Sequence, residues 1–119
     1  MKCLPLLCFT LMLFLGCNSL HDEALLHGQW QTSKWIVVSS GKKIPNRMDF
    51  TFSTDKSYEV DYGSQKENGN YYIAGEYLHT KEDGATEKSV KIKLLTTDSL
   101  VFEMNRAGAL ENVTLVKKR

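Results

Sequence analysis

Between Met48 and Tyr62 the chain alternates apolar and polar residues twice, with a turn between the two runs. Met48, Phe50 and Phe52 alternate with Asp49, Thr51 and Ser53. Thr54-Asp55-Lys56 follows, and Tyr58, Val60 and Tyr62 then alternate with Glu59 and Asp61. A period of two is the mark of a strand with one buried face. Folded as a hairpin, Phe52 opposes Tyr58, Phe50 opposes Val60 and Met48 opposes Tyr62. Every apolar side chain then lies on one face. A slip of one residue would turn the whole set to solvent, so the register is strongly specified. The same register sets Asp49 against Asp61, and opposed like charges are unfavourable. Arg47, Lys91, Lys93 or plain solvation is expected to relieve them.

The rest of the body reads in the same way. Gln29 to Val38 is rich in Trp, Thr, Ile and Val, as strands are. Trp30 and Trp35 have opposite parity, and a bulge near Ser33-Lys34 would put both on one side. Ser39 to Asn46, with Gly41 and Pro45, reads as a loop. Gly63 to Asn68 reads as a polar loop. Gly69 to Ala74 and Tyr77 to Thr80 flank Gly75-Glu76, which suits a two-residue hairpin turn with glycine first. This turn pairs Ala74 with Tyr77, Ile73 with Leu78 and Tyr72 with His79. Lys88 to Leu95 and Leu100 to Arg106 make another hairpin. There Val90, Ile92 and Leu94 face Met104, Phe102 and Leu100, and Lys91 opposes Glu103 as a favourable cross-strand pair. Ala107-Gly108-Ala109 turns the chain into Leu110 to Val116, with Val113 and Leu115 inward. Lys117-Lys118-Arg119 reads as a solvated tail.

Eight short strands joined by hairpin-length connections leave almost no helix. The pattern predicts an all-β fold: an eight-stranded antiparallel up-and-down barrel, closed so that no edge is exposed. A sandwich is the structural alternative.

A different kind of segment precedes this body. Met1-Lys2 is a minimal positive start, and Leu4 to Leu15 is nearly all apolar. That run is shorter than the ~20 helical residues a bilayer crossing needs, and it suits a secretory leader. It ends in Leu13-Phe14-Leu15-Gly16-Cys17. The junction resembles the lipobox of bacterial lipoproteins, with Phe14 standing where that family usually has Leu. The resemblance implies a signal peptide over 1–16, cleavage before Cys17, and covalent diacylglycerol and N-acyl lipid on Cys17. Each buried methylene contributes ~0.8 kcal/mol, and stable anchoring takes at least two chains. No other cofactor is expected. Residues 17–27 then read as a lipidated tether, with one helical turn through Glu23-Ala24-Leu25-Leu26, and 28–119 as the barrel domain. Asn18 is not the Asp that retains enterobacterial lipoproteins at the inner membrane. Outer-membrane placement is therefore expected, with the periplasmic and surface faces both open; Asp22-Glu23 resembles, weakly, a surface-export signal.

Charge and cysteine content exclude several classes. The chain carries 15 Lys+Arg against 14 Asp+Glu, and loss of Lys2 with the leader leaves 14 against 14. Such a balance gives no basic field for nucleic acid. Cys3 and Cys8 would leave with the leader, so no disulfide is expected and stability must come from packing. The chain has three histidines, and no G-x-S-x-G, P-loop, G-x-G-x-x-G or H-E-x-x-H is present. No catalytic residue is assigned. His21, Asp22, Glu23 and His27 could touch a metal, but their spacing fits no structural zinc pattern.

Several stretches of the body together resemble the small lipocalin-like domains of bacterial secreted proteins and lipoproteins. Leu26-x-Gly28-x-Trp30 matches the G-x-W that opens such a barrel. Phe50-x-Phe52-Ser53-x-Asp55-x-x-Tyr58 and Gly69-x-Tyr71-x-Ile73-x-Gly75-Glu76-x-Leu78 resemble its next two hairpins. Leu95-Thr96-x-Asp98-Ser99-Leu100 resembles its late turn. The resemblance implies a barrel that binds a small apolar or amphipathic ligand without catalysis.

Two candidate sites follow. The inward residues are bulky, so most of the interior reads as solid core. A shallow pocket at one mouth would be lined by Tyr58, Tyr62, Tyr71 and Phe102, with tyrosine hydroxyls as polar handles. Trp30 reads as a floor plug with its N–H paired. On the outer face, Tyr72, Tyr77 and His79 form an aromatic patch suited to a protein partner. That patch supports the alternative function, an envelope assembly factor, inhibitor or immunity protein. The anchor has its own test: Cys17→Ser is expected to move the protein from the membrane to the soluble fraction on cell fractionation. Unchanged membrane partitioning would rule out lipidation at this sulfur.

Overall fold

The computed structural model describes residues 21–119. Cys17, the leader and the first part of the tether lie outside them. The described chain opens with a single 3-10 turn, Glu23–Leu26, capped by the Asp22 carboxylate on the Ala24 N–H at 3.0 Å. Eight strands follow: β1 (Gly28–Val37), β2 (Asp49–Phe52), β3 (Ser57–Asp61), β4 (Lys66–Ala74), β5 (Tyr77–Glu82), β6 (Lys88–Leu95), β7 (Ser99–Arg106) and β8 (Ala109–Lys117). Each pairs antiparallel with its sequence neighbours, and β8 returns to β1, so the meander closes as a barrel. No sandwich forms.

The two clearest hairpins have the register that the alternation dictates. Phe52 pairs with Tyr58 and Phe50 with Val60. Ala74 pairs with Tyr77, Ile73 with Leu78 and Tyr72 with His79, and Gly75 supplies the positive φ of +62° at the turn. Asp49 does face Asp61, and Arg47 lies 3.4 Å from the Asp49 carboxylate. In β1 the pairing with β8 shifts between Thr32 and Lys34. The extra residue brings both Trp30 and Trp35 inward, where both are buried.

Three expectations are corrected, and a fourth holds in register with a different ion pair. Gly63 to Asn68 is not all loop: β4 starts at Lys66, and its pairing with β3 runs from Asp61–Lys66 to Ser57–Asn70. Leu94 does not face Leu100. A bulge between Ile92 and Leu94 pairs Leu95 with Leu100 and turns Leu94 outward, where it is exposed. Lys91 does oppose Glu103, but its ammonium pairs with Glu76 at 3.6 Å. Lys117 is not tail. It pairs with Trp30, donates to the Leu25 carbonyl at 3.2 Å, and sets its ammonium 4.9 Å from the Trp30 ring centre.

These contacts build the barrel floor. Leu26 and Trp30 are fully buried, and the indole N–H of Trp30 donates to the Leu26 carbonyl at 2.9 Å. The turn is also tied across the barrel. The Glu23 carboxylate accepts from the Ile73 N–H at 3.1 Å and pairs with Lys56. The last residues of the stretch read as tether therefore pack on the barrel. Above the floor, Phe50 stacks on Phe52 at 5.4 Å, and the edges of Phe102 and Tyr71 meet this pair at 5.9 and 5.0 Å respectively. Offset and edge-on rings of this kind add to area burial.

Gly69 is where β4 passes closest to its neighbour. A methyl group placed there would lie 2.0 Å from the Lys81 carbonyl oxygen and 2.8 Å from the Glu82 Cα. Both are backbone atoms, which no rotamer change can move. Glycine inside a strand often marks such an approach. Gly69→Ala is expected to destabilise the barrel by about 1–3 kcal/mol, the range of overpacking, in urea denaturation. A neutral substitution would show that the two strands can part without loss.

Candidate functional site

The barrel is plugged at the Trp30 end and open at the other. The open end is formed by the start of β4 and β6, the end of β3 and β7, and Met48 before β2. Between these segments lies a solvent-open pocket of about 110 Å³. Its walls are mostly apolar: Met48, Phe50, Val60, Leu78, Val90, Phe102 and Met104. Tyr58, Tyr62, Thr80, Glu67 and Lys88 supply the polar atoms.

Glu67 is the chemical centre of the mouth. It is only 8% exposed. One carboxylate oxygen accepts from the Tyr58 hydroxyl. The other accepts from Tyr62 at 2.8 Å and from the Lys88 ammonium at 3.3 Å. Burial by itself pushes the Glu67 carboxyl up. The Tyr58 and Tyr62 hydroxyls and the Lys88 charge outweigh it, and the group sits below its ordinary value. The two phenols move the other way. Burial raises both, and the hydrogen bond to the Glu67 carboxylate and its negative charge raise them further. Tyr58 and Tyr62 are therefore neutral donors and Glu67 is a charged acceptor throughout the physiological range.

Sequence reasoning placed four residues at a mouth pocket. The structure brings Tyr58, Tyr62 and Phe102 together there, with Tyr62 at the exposed rim. Tyr71 does not line it. Its ring belongs to the aromatic core, and its hydroxyl donates to the Ser53 carbonyl at 2.9 Å. Burial first, then the charges of Glu23 and Asp55, push the Tyr71 phenol up to about 12. On the outer surface Tyr72, Tyr77 and His79 do meet. Tyr72 stacks on His79 at 4.6 Å, Tyr77 lies 6.5 Å from His79, and both tyrosines are 44% exposed. Glu87 bridges the Tyr72 hydroxyl and the His79 ring, each at 3.1 Å.

Glu67 and Lys88 were missed because Glu67 fell in a stretch read as loop. Parity could have found it: Glu67 has the parity of the inward Tyr71 and Ile73. The same signal marks Glu111, in step with Val113 and Leu115. Glu111 is 3% exposed; it accepts from the Trp35 indole at 2.8 Å and from Arg106 at 3.1 and 3.2 Å. Among the described residues no cluster of three or more His, Cys, Asp or Glu side chains could hold a metal ion. No helix among them is long and apolar enough to cross a membrane.

A closed eight-stranded meander with a stoppered floor and a small apolar mouth defines a calyx-type β-barrel. The family model for the lipocalin-like domain matches residues 26–102, and the chain belongs to that family. A crystal structure of a lipocalin-like protein from Bacteroides uniformis is similar, with a TM-score of 0.59 and 16% identity, covering 79% of this chain and 99% of that one. At that identity the likeness concerns the fold. No curated protein matches the chain.

The Glu67 network makes stability depend on pH with a defined sign. A carboxyl with a depressed folded value stabilises above its unfolded value of about 4.3. That stability is lost as pH falls through the folded value. Tyr58→Phe removes a hydrogen bond to a charged acceptor and is expected to cost about 1.5–3 kcal/mol at neutral pH. The deficit should shrink once acid protonates Glu67. Urea titrations of both proteins at neutral and acid pH read this directly; an equal deficit at both would exclude a charged Glu67.

Proposed function

We propose that this protein is a lipid-anchored, non-catalytic lipocalin-like barrel of the cell envelope that binds a small amphipathic ligand at its open mouth. The pocket around Glu67 carries the reading. It is an apolar concavity with a few fixed polar groups, the usual composition of a ligand site. Its volume, about 110 Å³, limits the buried part of the ligand. Typical ligand pockets run from about 300 Å³, and a cavity of about 150 Å³ accommodates benzene. The ligand therefore inserts a short chain or part of a ring and leaves the rest outside. Anchoring with lipid on Cys17 rests on the Gly16-Cys17 junction, and the outer-membrane position rests on Asn18 standing where an inner-membrane-retaining Asp would be. Nothing in the balanced charge favours nucleic acid as a partner.

A second reading has its own observation. Tyr72, Tyr77 and His79 form an exposed aromatic platform that Glu87 holds in place. Exposed aromatics that need little ordering suit a protein interface. Co-purification from envelope extracts separates it: a Tyr72→Ala, Tyr77→Ala double variant is expected to lose the partner that wild type retains. Equal recovery would remove the surface reading.

The pocket reading has a plug test. Val90 lines the pocket and is partly buried. Val90→Phe should fill the space and abolish saturation transfer to benzyl alcohol in NMR, with the circular dichroism spectrum unchanged. Equal transfer in both proteins would place binding elsewhere.

A further inference from the structure

The pairing of Glu67 with Lys88 says which polar head the mouth accepts. The carboxylate is the fixed partner. It is 8% exposed, and two phenols from β3 and its end hold it. Lys88 is the exchangeable one. Its side chain is 56% exposed and reaches Glu67 through one contact of 3.3 Å. Exposed ammonium groups of this kind hold a carboxylate weakly and regain water when they leave. Removal of the cation without replacement would strand a buried charge, which is strongly unfavourable. A ligand that brings its own ammonium avoids this.

We propose, on the basis of the mouth-pocket reading above, that the site selects small organic cations: a primary amine whose ammonium replaces the Lys88 Nζ on Glu67 while its apolar body lies against Met48, Phe102 and Met104. An anionic head is disfavoured. It would have to meet Lys88, whose charge Glu67 already balances, beside a carboxylate in a poorly hydrated wall. A neutral head can use the pocket but does not compensate Glu67.

The two methionines give a direct readout. Met48 and Met104 both line the pocket. Methyl-labelled methionine NMR of the full chain in nanodiscs, titrated with phenethylamine, 2-phenylethanol and phenylacetate, compares three heads on one ring. The amine is expected to shift both methyl signals with at least ~10-fold higher affinity than the alcohol, and phenylacetate to bind weakest. Glu67→Gln should erase the advantage of the amine while leaving the alcohol bound. Lys88→Ala, which removes the competing ammonium and leaves Glu67 without its cation, should tighten the amine several-fold. Equal affinity for amine and alcohol would overturn cation selection and leave the pocket standing. Tightest binding of phenylacetate, abolished by Lys88→Ala, would overturn it in favour of an anion site. If none of the three moves either methyl signal, the pocket reading itself falls, and the selection with it.

Discussion

The pairing of β8 with β1 is the constraint on which the rest depends. In a meander every other strand contact is made between sequence neighbours. Without the last pairing, two raw edges would remain and the sheet could flatten or aggregate. Closure runs from Trp30–Lys117 to Val37–Glu111, with one bulge between Thr32 and Lys34. The bulge matters because it corrects parity. Without it, Trp30 and Trp35 could not both point inward, and either the floor or the far-end Trp35–Glu111 contact would be lost.

Closure also explains the asymmetry of the two ends. At the Trp30 end, the preceding 3-10 turn and Lys117 at the end of the last strand converge on one indole. Leu26 seals the space below it, its carbonyl takes the indole N–H, and the Lys117 ammonium covers the ring. The interior of this end is filled by the buried Leu26 and Trp30 side chains. At the opposite end the chain buries carboxylates among its rings: Glu111 under Trp35, and Glu67 beside the pocket. A buried charge needs several partners, and Glu67 has Tyr58, Tyr62 and Lys88. Two phenols hold the carboxylate on one side, and a solvent-exposed lysine meets it on the other.

The surface patch and the pocket are independent in the structure. Tyr72, Tyr77 and His79 belong to the outward parity of β4 and β5, whereas Tyr71, Ile73 and Leu78 of the same hairpin form core. One hairpin thus serves both faces, as alternation requires. The pocket lining and the outer patch share no side chain.

Alternation in the sequence was enough to determine the strand count, the hairpin partners of Phe50, Phe52, Ile73 and Tyr72 and the bulge in β1, and the likeness of Gly28-x-Trp30 to a barrel-opening motif marked Trp30 as a plug. Those are decided locally, by parity and turn residues, and the hydrophobic effect acts on them in the same direction. Tertiary structure alone decided that Lys117 joins the floor, that a bulge turns Leu94 outward, and that Tyr71 is core and not pocket. It also decided the Glu67–Lys88 pair. Glu67 reads as a loop residue until the strand continues past Gly69, and its partners come from β3, the chain just after it, and β6. A charged residue goes inward only when distant segments supply enough hydrogen bonds and countercharge to offset its lost hydration, and that supply exists only once the barrel has closed.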